Sequence, residues 1–225
     1  LIEAWCHSGN LKAVTIGAES STRRLTGEQR REQLLEVAAA LFSERGYRST
    51  TMDDVAEAAG VTKPLLYQHF SSKKALYLEL VDAVAHRVLT AIAEAAIQAE
   101  GPRQKVEISL HTYFVSVVDD TASFQLLYDR DHGDDDELGR AFRQVQNALV
   151  AAIDPLIDAG LDDQHRRFLA AGMVGMAEGA TLSWIDSRAG AEPFATEKER
   201  RAEADRLARR LSSLMWAGLR SVSAD

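Results

Sequence analysis

Thr62, Lys63, Tyr67, His69 and Lys73 set hydroxyl, ammonium, phenol and imidazole groups along one short stretch of this 225-residue chain. Such groups donate hydrogen bonds to phosphate oxygens and base edges without a metal or a partner nucleophile. The surrounding segment, TTMDDVAEAAGVTKPLLYQHFSSKKAL from Thr50 to Leu76, reads as two short helices about a tight turn and the start of a third. Met52, Val55, Ala56 and Ala59 recur at helical spacing, which gives the first helix an apolar face. Thr51 stands where an N-cap belongs, and Asp54 is a shorter stand-in for the usual Glu of a capping box. Gly60 can take the left-handed conformation that ends a helix, with Val61 as the apolar contact behind it. Thr62 caps the second helix, and Pro64 falls in its first turn, where a missing N–H costs nothing. Leu66 and Phe70 anchor that helix inward. Lys63, Leu65 and Gln68 face outward, with Tyr67 at the margin. Ser71 or Ser72 caps a third helix that opens with Lys73 and Lys74. This is the layout of a helix-turn-helix.

Ordinary helical core is the plain alternative for such a segment. Agreement among the caps, the turn and the lysines argues against it. VTKPLLYQHFSSKKAL, preceded by TTMDDVAEAAG, resembles the DNA-binding motif of tetracycline-repressor-type (TetR family) regulators, and the likeness covers Thr26 to Leu80. The resemblance implies Thr62, Lys63, Pro64 and Leu65 nearest the bases, with Tyr67, His69 and Lys73 on phosphates. Lys63 can donate to guanine, whereas Leu65 offers only apolar contact where many family members carry a hydroxyl. Thr50 and Thr51 offer hydroxyls and a helix N-terminus to the backbone. Arg23 and Arg24 are placed to reach the minor groove as an arm.

Charge is distributed to suit such a head. The chain carries −8 overall, but residues 20–75 hold nine Lys or Arg against seven Asp or Glu. The remainder from 76 onward holds 16 against 25, so a mildly basic head sits on an acidic body. The single Cys6 excludes an intramolecular disulfide and a cysteine metal site. No apolar run reaches bilayer-spanning length, and the first residues lack the pattern of a signal peptide. The expectation is therefore a cytoplasmic protein with a disordered tail over residues 1–20.

The elements that position the motif are all helical in pattern. Thr26 and Gln29 make a capping box for a first helix with Leu34, Leu35, Ala38, Leu41 and Phe42 inside, ended by Gly46. A long fourth helix carries Leu76, Leu80, Val84, Val88 and Ile92 on one stripe to about Gln98. Further helices follow around Val106–Val117, Phe124–Tyr128 and Asp135–Gly160, with Pro155 expected to kink or terminate the last. Two final helices span about Asp162–Arg188 and Lys198–Val222. The spacing predicts an all-α fold of about nine helices. A helix-turn-helix head over 21–75 is joined by the long fourth helix to a ligand-binding and dimerisation bundle over 76–225.

A helix-turn-helix reads DNA best as a two-fold dimer. The resemblance implies pairing through the last two helices, where Gly172, Gly175 and Gly179 share a face with Leu207, Leu211, Leu214 and Met215 as the candidate partners. GMVGMAEGA is not a dinucleotide fingerprint, since its glycine spacing is wrong and no strand precedes it. Phe114, Phe124, Tyr128, Phe142, Met173, Met176 and Trp184 are candidate walls of an effector pocket between bundle helices. The acidic run from Asp129 to Glu137 lacks EF-hand spacing and reads as a solvated loop. No cofactor and no metal is expected.

Six scattered histidines form no nucleophile–base pattern, and the chain has no nucleophile elbow or phosphate loop. The expected function is a non-enzymatic, sequence-specific DNA-binding transcriptional regulator, a repressor, controlled by a small hydrophobic effector and acting on a pseudo-palindromic operator as a homodimer. Its wording also resembles actinobacterial regulators that sense long acyl chains, which implies an acyl-responsive activator as the second mode. A helical ligand-binding or scaffolding dimer without specific DNA affinity is the alternative from another class. Salt-dependent retention on the chain's own promoter separates the two.

Overall fold

The computed structural model describes residues 25–128, 136–157 and 160–220, with the side chains of Tyr128 and Asp136 excepted. Arg23, Arg24, the tail over 1–20 and most of the Asp129–Glu137 run lie outside the described residues. Among those described, the chain forms nine α-helices and no strand, as the sequence predicts. They are α1 (Gly27–Ser49), α2 (Met52–Ala58), α3 (Lys63–His69), α4 (Lys73–Ile97), α5 (Pro102–Asp119), α6 (Thr121–Tyr128), α7 (Asp136–Ile153), α8 (Asp163–Ser187) and α9 (Glu197–Leu219).

Local chemistry accounts for most of the boundaries. Thr26 and Gln29 close a capping box at the start of α1, and Thr51 and Asp54 close another at α2. Gly46, at φ 79°, breaks α1 shortly before its end. Gly60, at φ 64°, turns the chain from α2 toward α3, and the Val61 amide donates to the Ala56 carbonyl at 2.9 Å. Ser72 caps α4 by accepting from the Ala75 amide. Pro155 terminates α7 and does not kink it: the helix stops at Ile153 and a 3-10 turn, Asp154–Leu156, follows.

α1 packs on α4 and α6, and α2 packs on α1 and α3. In the body α9 lies along α5, while α7 is held between α4 and α8. Buried residues of α1 to α3 and of the later helices form one contiguous apolar cluster. Tyr77 of α4 stands at the junction. Its fully buried ring meets Phe42 edge-on at 5.1 Å between centroids, Tyr47 at 4.7 Å and Phe142 of α7 at 6.4 Å. Its hydroxyl donates to the Leu126 carbonyl of α6 at 3.2 Å.

The outward side of α8 is bare and apolar. Gly172, Gly175 and Gly179 are exposed, Phe168 is 74% exposed and Met176 39%. Leu214 of α9 is 61% exposed. This explains why α8 is long and apolar enough to cross a bilayer by composition alone: it presents apolar residues to its neighbours and to the outside. Leu207 is half-buried, but Leu211 and Met215 belong to the protomer's own core. The 3–4 rhythm of α9 merges two adjoining faces, and α5 takes the one that holds Leu211 and Met215.

Tyr77→Phe should lower the unfolding free energy by about 1 kcal/mol through loss of one buried hydrogen bond. Tyr77→Ala should cost about 3–5 kcal/mol, the range for deleting a buried aromatic ring. Urea unfolding of the two variants measures both.

Candidate DNA interface and body cavity

Thr62, Lys63, Pro64, Tyr67 and Gln68 are all exposed on α3, while Leu66 and Phe70 are buried behind them. Leu65 and His69 are half-buried at the edges of that face. Thr62 occupies the N-cap position, but its hydroxyl makes no capping hydrogen bond. A short helix with an uncommitted hydroxyl, a cation and an exposed phenol suits contact with base edges and phosphates.

Lys63 is restrained before any ligand arrives. Its ammonium lies 2.7 Å from the Asp53 carboxylate of α2, and that hydrogen bond holds the lysine above its ordinary range. Asp53 was not among the residues singled out from sequence. The two stand ten positions apart across a turn, a separation that no helical periodicity reports. Thr51 is exposed, and its hydroxyl both accepts from the Asp54 amide and donates to the Asp54 carboxylate, which holds that carboxyl below its usual range.

Two residues expected on phosphates are engaged within the chain itself. Thr50 is fully buried, and its hydroxyl donates to the Gly46 carbonyl at 3.0 Å. The left-handed Gly46 exposes that carbonyl, and Thr50 satisfies it. The Lys73 ammonium sits 2.8 Å from the Tyr47 carbonyl and over the Tyr47 ring at 4.4 Å. Burial there pulls its pKa below the ordinary lysine value. Both residues tie the end of α1 to the motif. Arg31 does the same from the other side: it donates to the His69 carbonyl at 2.7 Å, pairs with Glu79 of α4 and lies over the Phe70 ring.

The body holds a cavity of about 290 Å³ bounded by α4, α5, α7, α8, α9 and the 3-10 turn. Of the seven aromatic and Met residues expected in its wall, only Met173 lines it. Phe114 and Phe124 instead pack edge-on around Tyr113, whose hydroxyl bonds Thr181 at 2.8 Å. Phe142 packs against Tyr77, Met176 is on the outer face, and the buried Trp184 donates to Glu203 of α9 at 2.8 Å. The Tyr128 side chain lies outside the described residues. The expected aromatic rings pack on one another, and the free volume is left mainly among aliphatic residues such as Ile92, Leu110, Leu149 and Val174, with Tyr113 and Trp216 as its aromatic walls. Sequence reading also passed over Lys105 and Ser109. They sit four apart on the same side of α5 as Tyr113, and polar residues interrupting an apolar stripe were the available signal.

Thr50→Val keeps the shape of the side chain and removes the bond to Gly46. It should destabilise the protein by about 1–3 kcal/mol, the cost of an orphaned buried acceptor, seen as a lower urea midpoint.

Known proteins share both the motif and the whole architecture. Residues 34–80 match the profile described as "Bacterial regulatory proteins, tetR family". The HTH-type transcriptional activator FasR of Mycolicibacterium smegmatis is 30% identical over 173 residues, which cover 76% of this chain and 79% of that protein. A TetR-like transcriptional regulator from Rhodococcus sp. RHA1 superposes with a TM-score of 0.69 at 26% identity, over 88% of this chain and 100% of that one. The regulator FadR from Bacillus subtilis, solved with stearoyl-CoA, shares the fold at a TM-score of 0.64 and 15% identity, over 81% and 97% of the two chains. With a likeness to FasR that spans most of both proteins, this chain belongs to the TetR family of bacterial transcriptional regulators.

Proposed function

We propose that the chain works in the cytoplasm as a homodimer that binds a pseudo-palindromic operator through two copies of α3 and releases it when a small hydrophobic effector fills the body cavity. The observation that carries this reading is the face of α3. Thr62, Lys63, Pro64 and Tyr67 are exposed together on a helix whose other side is locked into the core. Residues 21–75 serve as the reading head and 76–225 as the sensing and pairing body. The bare apolar stripe of α8, with Leu214 of α9, supports pairing there: exposed glycines let two helices approach closely, and Phe168 and Met176 supply area to bury.

Base contacts fall to Thr62, Lys63, Pro64 and the edge of Leu65. Phosphate contacts fall to Tyr67, His69 and the exposed Thr51. Repression requires only that the dimer occupy its operator and an effector change the spacing of the heads. The likeness to FasR, named an activator, favours a second mode in which the bound dimer assists transcription. Control by an acyl chain is supported by the stearoyl-CoA in the FadR structure. Both modes need the same DNA face and the same cavity.

Fluorescence anisotropy with the DNA upstream of the chain's own gene tests the reading. Lys63→Ala should cost about 1–3 kcal/mol on the cognate site and relax the preference for it over scrambled DNA. Asp53→Asn should do the reverse on nonspecific DNA, binding it more tightly with a salt slope steeper by about one, because Lys63 is then free for phosphate. Wild-type protein that holds cognate and scrambled duplexes equally would leave the scaffolding alternative in place.

A further inference from the structure

Beside the rings of Tyr113 and Trp216, the polar exceptions in the cavity wall are two cations and one hydroxyl, all able to donate hydrogen bonds. α5 contributes Lys105 and Ser109, about one turn apart, and Arg220 follows the last turn of α9. The two helices run antiparallel, as the Asp119–Arg200 and His111–Asp205 pairs require, so the start of α5 and the end of α9 meet at the same end of the body. Among the described residues no carboxylate pairs with Lys105 or Arg220, although Arg87, Arg166 and Arg200 in the same acidic body each hold one. The Ser109 hydroxyl is buried and has no hydrogen-bond partner. A serine inside a helix ordinarily turns its hydroxyl to the carbonyl one turn back, as Ser116 does to Thr112 at 3.0 Å. The buried, unsatisfied Ser109 hydroxyl faces an apolar cavity whose rim carries the half-buried Lys105 and the exposed Arg220, neither paired among the described residues, and together they suit a negatively charged acceptor.

We propose that the cavity takes a single-chain amphiphile with an anionic head group. The chain lies against Ile92, Leu110, Leu149, Val174 and Met215. The head group, a carboxylate or a phosphate, is held between Lys105 and Arg220, and Ser109 donates to an oxygen at the junction of head and chain. At 290 Å³, the cavity has room for a tail of about ten water-sized groups or more. This inference rests on the effector-cavity reading above and adds its chemistry. A neutral ligand of the same shape leaves the two cations unpaired, and a cationic one adds repulsion to them.

Calorimetric titration of the full-length chain, below the micellar range, compares decanoate, decyl phosphate, 1-decanol and decyltrimethylammonium. At least one of the two anions should bind tenfold or more tighter than decanol, with the ammonium weakest. Whichever anion is preferred identifies the head group as carboxylate or phosphate. The double variant Lys105→Gln with Arg220→Gln should lose that ratio and keep its affinity for decanol. Ser109→Ala should weaken the anion several-fold and, because decanol carries an oxygen at the same junction, weaken decanol as well, leaving the anion-to-decanol ratio above tenfold. Decanol binding as tightly as both anions overturns the inference but leaves an apolar effector cavity standing. A ratio that persists in a folded double variant also overturns it. Failure of all four probes overturns the cavity reading itself. If the double variant does not fold by circular dichroism, the wild-type ratio decides alone.

Discussion

With α1 packed on α6 beside it, the contact between the helix-turn-helix and the body centres on Tyr77 in the first turns of α4. Its ring is in contact with Phe42 and Tyr47 of the head and with Phe142 of the body, and its hydroxyl is fixed on α6. A helix of 25 residues is about 37 Å long, so a small tilt at its distal end moves the head by a useful amount. Arg31 and Lys73 tie the head to α4. One ties the end of α3 to α1 and α4, and the other ties the end of α1 to the start of α4. The cavity meets the same lever at Ile92, near its far end. On the proposed reading, ligand and DNA would act on opposite ends of one helix, which is the physical requirement for coupling between two sites.

The head obtains its DNA affinity from placement and carries little excess charge. Its balance is only slightly basic, and the body behind it is strongly acidic. Lys63 is partnered by Asp53, so on the proposed reading its contact with DNA exchanges that carboxylate for a base edge or a phosphate. That exchange lowers the gain from any phosphate and leaves geometry at the base edges to discriminate between sites. The chain is a regulator and not an enzyme, and its histidines fit that role: His111 pairs with Asp205 on the surface, and His69 gives its carbonyl to Arg31.

What the sequence disclosed and what it hid divide along the range of the forces involved. Both capping boxes, the Gly60 turn, the Pro155 stop and the full helix order are set by residues within a few positions of one another, and each was readable from the letters. The burial of Thr50 and the hold of Lys73 on Tyr47 could not be read from the letters, because their partners, Gly46 and Tyr47, are exposed only by the break in α1. Leu211 and Met215 were assigned to the wrong face of α9 because two apolar stripes there overlap, and only the position of α5 separates them. The cavity was sought among aromatic residues, which instead close on one another. The body cavity lies mostly among aliphatic side chains that fail to meet, and that depends on the three-dimensional sum of all six neighbours.

The central claim is that two such heads are held at a spacing set by the bodies. It is tested most directly by the distance between nitroxide labels at Glu57→Cys in a Cys6→Ser background, measured by double electron–electron resonance with and without operator DNA. The predicted result is an intermolecular distance in both states. It should narrow with operator to one value compatible with α3 helices one DNA turn, about 34 Å, apart. No intermolecular distance at all, or a distribution that the operator leaves unchanged and broad, would contradict it.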